Sequence, residues 1–286
     1  MSGGYGDQSD MIEFWRRFSR NRSAVLGLGV LLTVVALAAL APVIYPGSPF
    51  RLAGSPMLPP FGDFLFGTDI LGRDVAAGIA HGAKTSLMIG LVATSVSVLV
   101  GTTIGGVGGY FGGRVDDILM RITEVFQTIP SFIFAILLVA IMSPSIRSVV
   151  IAIAVVSWPT VMRLVRGEFM SLRNRDFVQA CVTLGMPHWR IIFLQILPNC
   201  LSPIIVAASL MVATAILIES GLAFLGLGDP NVMSWGFLVG AGRTILRTAW
   251  WVCAIPGIAI LLTVLAINLV GEGLNDALNP RLRERA

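Results

Sequence analysis

The amino-acid sequence predicts an all-α membrane protein with six transmembrane helices and with both termini in the cytoplasm. Hydrophobic residues make up 55% of the chain and charged residues only 13%, whereas soluble domains carry about 25% charged residues. Uncharged apolar runs recur at lengths that cross a hydrocarbon core of about 30 Å. Basic residues concentrate in alternate connecting segments, which is typical of a protein that crosses the membrane several times.

Six spans are predicted near residues 24–45, 86–110, 125–143, 148–165, 200–224 and 251–271. Most of them come from uncharged runs longer than the roughly 20 residues that one crossing requires. The fourth comes from a shorter run, which can still cross the membrane if Arg163 extends its side chain to the interface.

These spans divide the chain into consecutive parts. They are a cytoplasmic N-terminal segment 1–22, a first transmembrane helix 23–46, an extracytoplasmic segment 47–83, a five-helix core 84–275 and a cytoplasmic tail 276–286. Within the core, a long cytoplasmic loop is expected at 166–198.

The distribution of basic residues predicts the orientation. With both termini inside, fourteen of the twenty basic residues are cytoplasmic and six are outside, as positive charges prefer. The cytoplasmic set is Arg16, Arg17, Arg20, Arg22, Arg114, Arg121, Arg163, Arg166, Arg173, Arg175, Arg190, Arg281, Arg283 and Arg285. This topology accounts for the pI of about 9.4 without nucleic-acid binding.

A polar-to-apolar stretch at 176–199, DFVQACVTLGMPHWRIIFLQILPN, lies between the fourth and fifth predicted spans. Five of the cytoplasmic arginines surround it. Gly185 and Pro187 predict an elbow between two short helices, and Leu197-Pro198 predicts a break before the chain re-enters the membrane. The stretch is typical of a docking element that a membrane protein offers to a soluble partner.

Glycines recur at every fourth position at the end of the second predicted span: Gly101, Gly105, Gly109 and Gly113. Steps of four place small residues on one helix face, where another backbone can approach closely. Two interpretations remain open, namely packing within this chain and contact with a partner or a moving neighbour.

Glu219 ends the long uncharged run of the fifth predicted span. An ionisable group at membrane depth is energetically expensive and marks a candidate functional site. We therefore predict that Glu219 helps to shape an outer gate. The alternative is an interhelical hydrogen bond or a protonated structural carboxyl group.

The segment Phe66–Val75, FGTDILGRDV, predicts an amphipathic surface turn outside the membrane. Asp69, Arg73 and Asp74 can share one face of it. A contact platform for an external protein is the alternative.

No catalytic or metal-binding pattern emerges from the sequence. The three cysteines and two histidines have no metal-ligand spacing. The stretch 78–85, GIAHGAKT, is a near miss for a phosphate-binding loop, with Ala83 where glycine is needed. The sequence therefore predicts no cofactor in this chain, and ATP-driven transport would need another subunit.

Several blocks, taken in order, resemble one known family. They are FWRRFSRNRSAVLGL, FGTDILGRDV, GGYFGGRVDDILMRITEVFQTIPS, RLVRGEFMSLRNRDFVQACVTLGMPHWRIIFLQILPN, ESGLAFLGLGDP with SWG, and PGIAILLTVLAINLVGEGLNDALNPRLR. They resemble the C-type permease subunit of the dipeptide/oligopeptide/nickel branch of ABC importers over nearly the whole chain. The stretch 176–199 resembles the EAA loop of that family, although Gln179 replaces the glutamate and Cys181 the second alanine.

The resemblance implies a type I ABC importer permease fold in the bacterial inner membrane, with segment 47–83 in the periplasm. It implies a heterodimer with a homologous B-type permease, two ABC ATPase subunits that hold ATP and Mg²⁺, and an extracytoplasmic solute-binding protein. Di- and oligopeptides are the implied substrates, with glutathione, nickel or another small solute as alternatives. A secondary transporter or channel is the alternative from another class.

The same resemblance implies that the cytoplasmic loop couples this chain to the ATPase subunits. The loop residues assigned to coupling are Asp176, Gln179, Ala180, Cys181, Leu184, Gly185, Met186 and Pro187.

Overall fold

A computed structural model describes residues 14–278 of the chain. Most of the predicted N-terminal segment 1–22 and of the predicted tail 276–286 lies outside the described residues, as do Arg281, Arg283 and Arg285. The helices are α1 (14–20), α2 (Arg22–Ile44), α3 (Val75–Phe111), α4 (Gly113–Thr128), α5 (Ser131–Met142), α6 (Ile146–Arg173), α7 (Asp176–Thr183), α8 (His188–Arg190), a π-helix (Ile191–Ile196), α9 (Leu197–Phe224), α10 (Trp235–Gly242) and α11 (Trp251–Leu278).

The protein is all-helical in its described part, as predicted. Among residues 14–278, five helices are long and apolar enough to cross a membrane, and six spans result if α4 and α5 together form one. Several helices begin where a side chain accepts a hydrogen bond from the first turn, which is the usual N-cap arrangement. These capping residues are Asn21 for α2, Asp74 for α3, Ser145 for α6 and Ser234 for α10.

The start of α3 differs from the sequence-based prediction. The helix begins at Val75 because Asp74 accepts a hydrogen bond of 2.8 Å from the Ala76 N–H. Its first turns therefore occupy the end of the predicted extracytoplasmic segment 47–83.

The prediction that Asp69 lies on the polar surface of the turn before α3 is wrong, because Asp69 is buried. Its Oδ1 atom accepts hydrogen bonds from the N–H groups of Leu71 and Arg73, at 2.8 and 2.9 Å. Ile70 and Leu71 are exposed instead. Asp69 can be buried because its side chain accepts hydrogen bonds from the backbone of its own tight turn.

The predicted third span at 125–143 is not one helix. Helices α4 and α5 meet at 83°, and Ile129 and Pro130 lie between them. Proline has no N–H and disfavours helical geometry at the preceding residue, and Ile129 is extended with ψ 130°.

The break that was predicted at Leu197-Pro198 is also wrong. Helical backbone continues from His188 to Phe224, and the Leu197 N–H donates to the Ile192 carbonyl five residues back. The wider π-helical turn delivers Pro198 to the first turn of α9.

The glycine face of α3 packs against α6 of the same chain. A Cβ atom added at Gly101 would lie 2.5 Å from Val161 Cβ, and one at Gly109 would lie 2.7 Å from the Arg166 carbonyl. At Gly105 it would collide with the Met162 carbonyl. This favours packing within the chain for these three glycines, whereas Gly113 begins α4 and has open space around it.

Candidate functional site

The segment after α6 forms the elbow that Gly185 and Pro187 predict. We call residues 176–190, which comprise α7, the following turn and α8, the elbow segment. At the end of α7 the Gly185 N–H donates to the Val182 carbonyl and the Met186 N–H to the Cys181 carbonyl, both at 3.0 Å. These are the two bonds of a Schellman turn. Gly185 has φ +73°, a left-handed conformation that glycine adopts without steric cost.

The inner face of the elbow segment is anchored in the helical core. Val178 is fully buried in a cluster with Phe169 of α6, Ile191 of the π-helix and Cys200 of α9. The side chains of Cys181 and Met186 pack against the same cluster. The sequence analysis missed Val178, although its spacing of three from Cys181 was the available signal for a buried helical stripe.

Gln179, which departs from the family pattern, has a local role. Its Nε2 atom donates a hydrogen bond of 2.9 Å to the Arg173 carbonyl, at the C-terminal end of α6. An ionised glutamate at this position could not donate that bond. The amide thus fastens the start of the elbow segment to the helix that precedes it.

The outer face of the elbow segment is exposed and partly apolar. Leu184 is 83% exposed and Trp189 is 56% exposed, with Phe177 and Val182 also exposed. Among the predicted coupling residues, Asp176, Gln179, Ala180, Leu184, Gly185 and Pro187 are exposed, while Cys181 and Met186 are partly buried. Clustered exposed apolar side chains on a polar segment indicate a contact surface.

One side-chain contact ties the elbow segment to α3, and a second ties the end of α6 to the same residue of α3. The Tyr110 hydroxyl lies 2.7 Å from His188 Nδ1, and Arg173 Nη1 donates to the Tyr110 carbonyl at 2.9 Å. Tyr110 and His188 are 78 positions apart, so no sequence pattern predicted the contact.

A charged pair holds the N-terminal end of α4 against the C-terminal part of α6. The Arg166 guanidinium donates from Nε to Asp116 Oδ1 at 2.5 Å and from Nη2 to Asp116 Oδ2 at 2.6 Å. Paired parallel bonds of this kind are stronger than single neutral ones. These bonds hold α4, the first helix of the bent pair α4–α5, against α6.

Glu219 lies near the other end of α9, about 40 Å from the elbow segment at the helical rise of 1.5 Å per residue. The structure therefore does not bring the two predicted sites together. Glu219 is 3% exposed. Its Oε1 accepts from the Ser234 hydroxyl at 2.7 Å. Its Oε2 lies 3.3 Å from the Ser220 hydroxyl, which makes a shorter bond of 2.8 Å to the Ile216 carbonyl.

The carboxylate of Glu219 lies at the N-terminus of α10. Ser234 caps that helix, because its Oγ accepts from the Phe237 N–H at 3.0 Å while its hydroxyl donates to Glu219. The positive end of a helix dipole favours a negative group there. The next residue, Trp235, joins α10 to α3 through its N–H, bonded to Ser86 Oγ at 3.1 Å, and through its Nε1, bonded to the Ile79 carbonyl at 3.0 Å.

Within residues 14–278, no group of three histidine, cysteine, aspartate or glutamate side chains is placed to hold a metal ion.

Comparison with known protein families shows which kind of protein carries this contact surface. Residues 97–284 match the family described as binding-protein-dependent transport system inner membrane component. Residues 9–60 match the N-terminal transmembrane domain of oligopeptide transport permease C. The chain belongs to the binding-protein-dependent transport family of inner membrane components. It is therefore a multi-pass permease subunit of a bacterial ABC importer and not an enzyme, as the sequence resemblance predicted.

Relatives align with this permease over almost their full length. The di/tripeptide transport system permease protein DppC of Pseudomonas aeruginosa (strain UCBPP-PA14) is 40% identical over 97% of this chain and 94% of its own. The dipeptide transport system permease protein DppC of Bacillus subtilis (strain 168) is 42% identical, over 94% and 85%. The oligopeptide transport system permease protein OppC of Haemophilus influenzae (strain ATCC 51907 / DSM 11121 / KW20 / Rd) is 37% identical, over 94% and 88%.

A solved structure shows a similar fold. A chain in an inward facing conformation of the MetNI methionine ABC transporter superposes with a TM-score of 0.58 at 16% identity. The match covers 68% of this permease and 93% of that chain. At this identity the likeness shows the fold alone, which is that of an ABC importer permease.

Proposed function

We propose that this permease forms half of the translocation pathway of an ATP-driven importer for di- and oligopeptides. One observation supports di- and oligopeptides as the substrates. Relatives named for dipeptide, di/tripeptide and oligopeptide transport are 37–42% identical to this chain over at least 94% of its length.

We propose a type I topology with six spans and with both termini in the cytoplasm. Counting the bent pair α4–α5 as one span gives six crossings, which return the chain to its starting side. The excess of basic residues on the predicted cytoplasmic side supports this orientation.

We propose that the elbow segment is the surface on which an ATPase subunit acts. Its outer face exposes Leu184 and Trp189, while Val178 anchors its inner face to α6 and α9. A short helix fixed to two spans moves as a rigid body with them, whereas a loosely attached loop would absorb the displacement.

The complete importer that we propose contains this chain and a homologous B-type permease as a heterodimer. Two ABC ATPase subunits bind ATP and Mg²⁺, so that this chain needs no cofactor of its own, and an extracytoplasmic solute-binding protein delivers the substrate. ATP-driven approach of the two ATPase subunits would press the elbow segments together and open the pathway outward.

We propose that Glu219 stabilises the closed position of the loop that contains α10. Its Oε1 accepts from the hydroxyl of Ser234, the N-cap of α10, so that α9 and α10 are held together. Opening of an outer gate between these elements would have to separate the carboxylate from Ser234.

The composition of the complex tests the proposed function. The chain is isolated from its native membrane in mild detergent, and native mass spectrometry gives its partners. We expect one homologous permease and two ATPase subunits, together with ATP-dependent and binding-protein-dependent uptake of labelled di- and tripeptides after reconstitution. A lone monomer or homo-oligomer that transports in vesicles without ATP would contradict the proposal and favour a secondary carrier.

A further inference from the structure

We propose that Tyr110 and His188 are positioning residues that join the elbow segment to α3, so that movement of the elbow reaches the opposite side of the membrane through α3. This inference rests on the proposed coupling role of the elbow segment. Along the chain, the elbow is connected to α6 and, through the π-helix, to α9. The contact with α3 is formed by side chains and adds a third route.

The joint itself is short and specific. The Tyr110 hydroxyl and His188 Nδ1 are 2.7 Å apart, and their rings meet edge to face with centroids 5.6 Å apart. Tyr110 is buried in the cluster that also holds Val178, whereas His188 is the exposed first residue of α8. The hydrogen bond thus links a fixed position in the core to the part of the elbow that an ATPase subunit could reach.

A second contact secures the same end of α3 from the other side of the elbow segment. Arg173, the last residue of α6, donates from Nη1 to the Tyr110 carbonyl at 2.9 Å. A cation at a helix C-terminus binds the free carbonyl groups and interacts favourably with the helix dipole. Side chains that flank α7 on both sides, Arg173 before it and His188 after it, therefore hold the end of α3.

The remaining length of α3 is suited to carrying a displacement. It has 37 residues, or about 55 Å at 1.5 Å per residue. It contains no proline, whereas helices α2, α6, α9 and α11 contain Pro42, Pro159, Pro203 and Pro256. Internal prolines and glycine pairs are usual sites of helix kinks, and Gly101, Gly105, Gly106 and Gly109 of α3 are packed against α6.

At its other end, α3 holds the loop that carries α10. The Ile79 carbonyl and the Ser86 hydroxyl bind Trp235, which follows the Ser234 partner of Glu219. An axial or rocking movement of α3 that begins at Tyr110 would therefore pull directly on the N-terminus of α10. This links the elbow segment to the Glu219 site, although about 40 Å of α9 separate them.

The test uses the complete importer in proteoliposomes, with its binding protein and tritiated dialanine and trialanine as probes. The measured quantity is peptide transported per ATP hydrolysed by assembled complex. Tyr110→Phe removes the hydroxyl, His188→Phe removes the nitrogen while it keeps a ring, and His188→Asn returns a polar group near the Nδ1 position. Tyr45→Phe removes a hydroxyl at the end of α2 and is the matched control.

We expect Tyr110→Phe and His188→Phe each to lower the ratio by about three- to tenfold, the range that corresponds to one lost hydrogen bond. The double variant should be no worse than either single variant, because both remove the same bond. His188→Asn should recover at least half of the loss, and Tyr45→Phe should match the wild type.

Ratios within twofold of the wild type for both single variants, or additive losses in the double variant, would overturn the inference. Failure of His188→Asn to recover any coupling would do the same. If the wild-type complex itself shows no ATP-dependent peptide uptake, the proposed function fails instead, so that the two failures are distinct.

Discussion

The elbow segment and the surroundings of Glu219 lie near opposite ends of α9, and they place polar and apolar side chains in opposite ways. The elbow exposes apolar groups, with Leu184 at 83% and Trp189 at 56% exposure. The Glu219 region buries a carboxyl group and supplies a buried hydroxyl donor, that of Ser234, for its Oε1 atom. The first region carries apolar surface that a partner could cover, whereas the second provides a hydrogen-bond partner for its buried carboxyl group within the chain.

This difference separates two kinds of functional candidate. Exposed apolar surface in water is stabilised when another protein covers it. A buried carboxyl group that is hydrogen-bonded is already stabilised within the chain, and its removal leaves the buried Ser234 hydroxyl without an acceptor. We therefore expect substitutions in the elbow to affect assembly and coupling, and substitutions at Glu219 to affect first the stability of the permease itself.

The largest expected effect is at Leu184. Leu184→Asp places a charge at the centre of the proposed ATPase contact, where removal of an anchor residue typically costs about 2 kcal/mol, or roughly thirtyfold in affinity. We expect the ATPase subunits to be lost on purification, while the variant remains in the membrane with unchanged thermal stability. The affinity of the ATPase subunits for the permease is measured from the amount that co-purifies as the solubilised complex is diluted in detergent.

Leu52→Asp is the control for Leu184→Asp. Leu52 is 65% exposed and lies in the predicted extracytoplasmic segment, so that the same substitution should leave ATPase binding unchanged. Equal loss of ATPase subunits in both variants, or full retention in Leu184→Asp, would remove the distinction between the two regions.

An intermediate effect is expected at Glu219. Glu219→Ala leaves the buried hydroxyl of Ser234 without its acceptor, which should lower the free energy of unfolding by about 1–3 kcal/mol. The Ser220 hydroxyl keeps its hydrogen bond of 2.8 Å to the Ile216 carbonyl. Glu219→Gln keeps one acceptor oxygen and should cost less. The thermal unfolding midpoint of the purified complex in detergent measures both changes.

Glu272→Ala serves as the control for the Glu219 variants, because Glu272 is exposed on α11 and its loss should not change the midpoint. A midpoint for Glu219→Ala equal to that of the wild type would contradict the structural role. If Glu219→Gln retains full transport and full ATPase coupling, the proposed role of Glu219 at an outer gate is lost.

The smallest expected effect is at Gly185. A Cβ atom there would meet no other atom within 4 Å, but φ is +73°, and a left-handed conformation costs other residues about 1–2 kcal/mol. The free-energy cost of Gly185→Ala, whether it affects coupling or the stability of the fold, should therefore be no larger than that amount. Gly185→Asn should be milder, because asparagine adopts this conformation more readily.

Gly167→Ala gives a matched comparison for Gly185→Ala. Gly167 also has open space around it but lies inside α6, where alanine is favoured over glycine by about 0.5–1 kcal/mol. The two substitutions should change thermal stability in opposite directions. A change of the same sign in both would show that backbone conformation does not decide the effect at Gly185.

The helical membrane architecture and the elbow could be predicted from the sequence because both depend on local properties. Long uncharged apolar runs leave few alternatives to transmembrane helices. A glycine with a proline two residues later, Gly185 and Pro187, favours the turn observed after α7. Local rules failed at Leu197-Pro198, where the π-helix places the proline in the first turn of α9. They also failed at Asp69, which binds the N–H groups of its own turn.

The candidate sites were predictable only in part. The elbow residues lie in one continuous stretch, so that the resemblance to a family motif could locate them. Val178, Tyr110 and His188 were missed, because burial and contacts between distant residues depend on how α3, α6 and α9 pack. For the same reason, the glycine pattern of α3 could not by itself distinguish an internal seam from a partner surface.

The sequence by itself determined that this protein is a helical membrane permease of the importer family, with an elbow at Gly185. Hydrophobicity, charge distribution and collinear motifs are properties of the chain in order, and they need no knowledge of contacts. Only the tertiary structure decided which face of the elbow is buried, which hydroxyls hold Glu219 and how Tyr110 meets His188. Those outcomes depend on side chains that lie far apart in the sequence and become neighbours only when the helices pack.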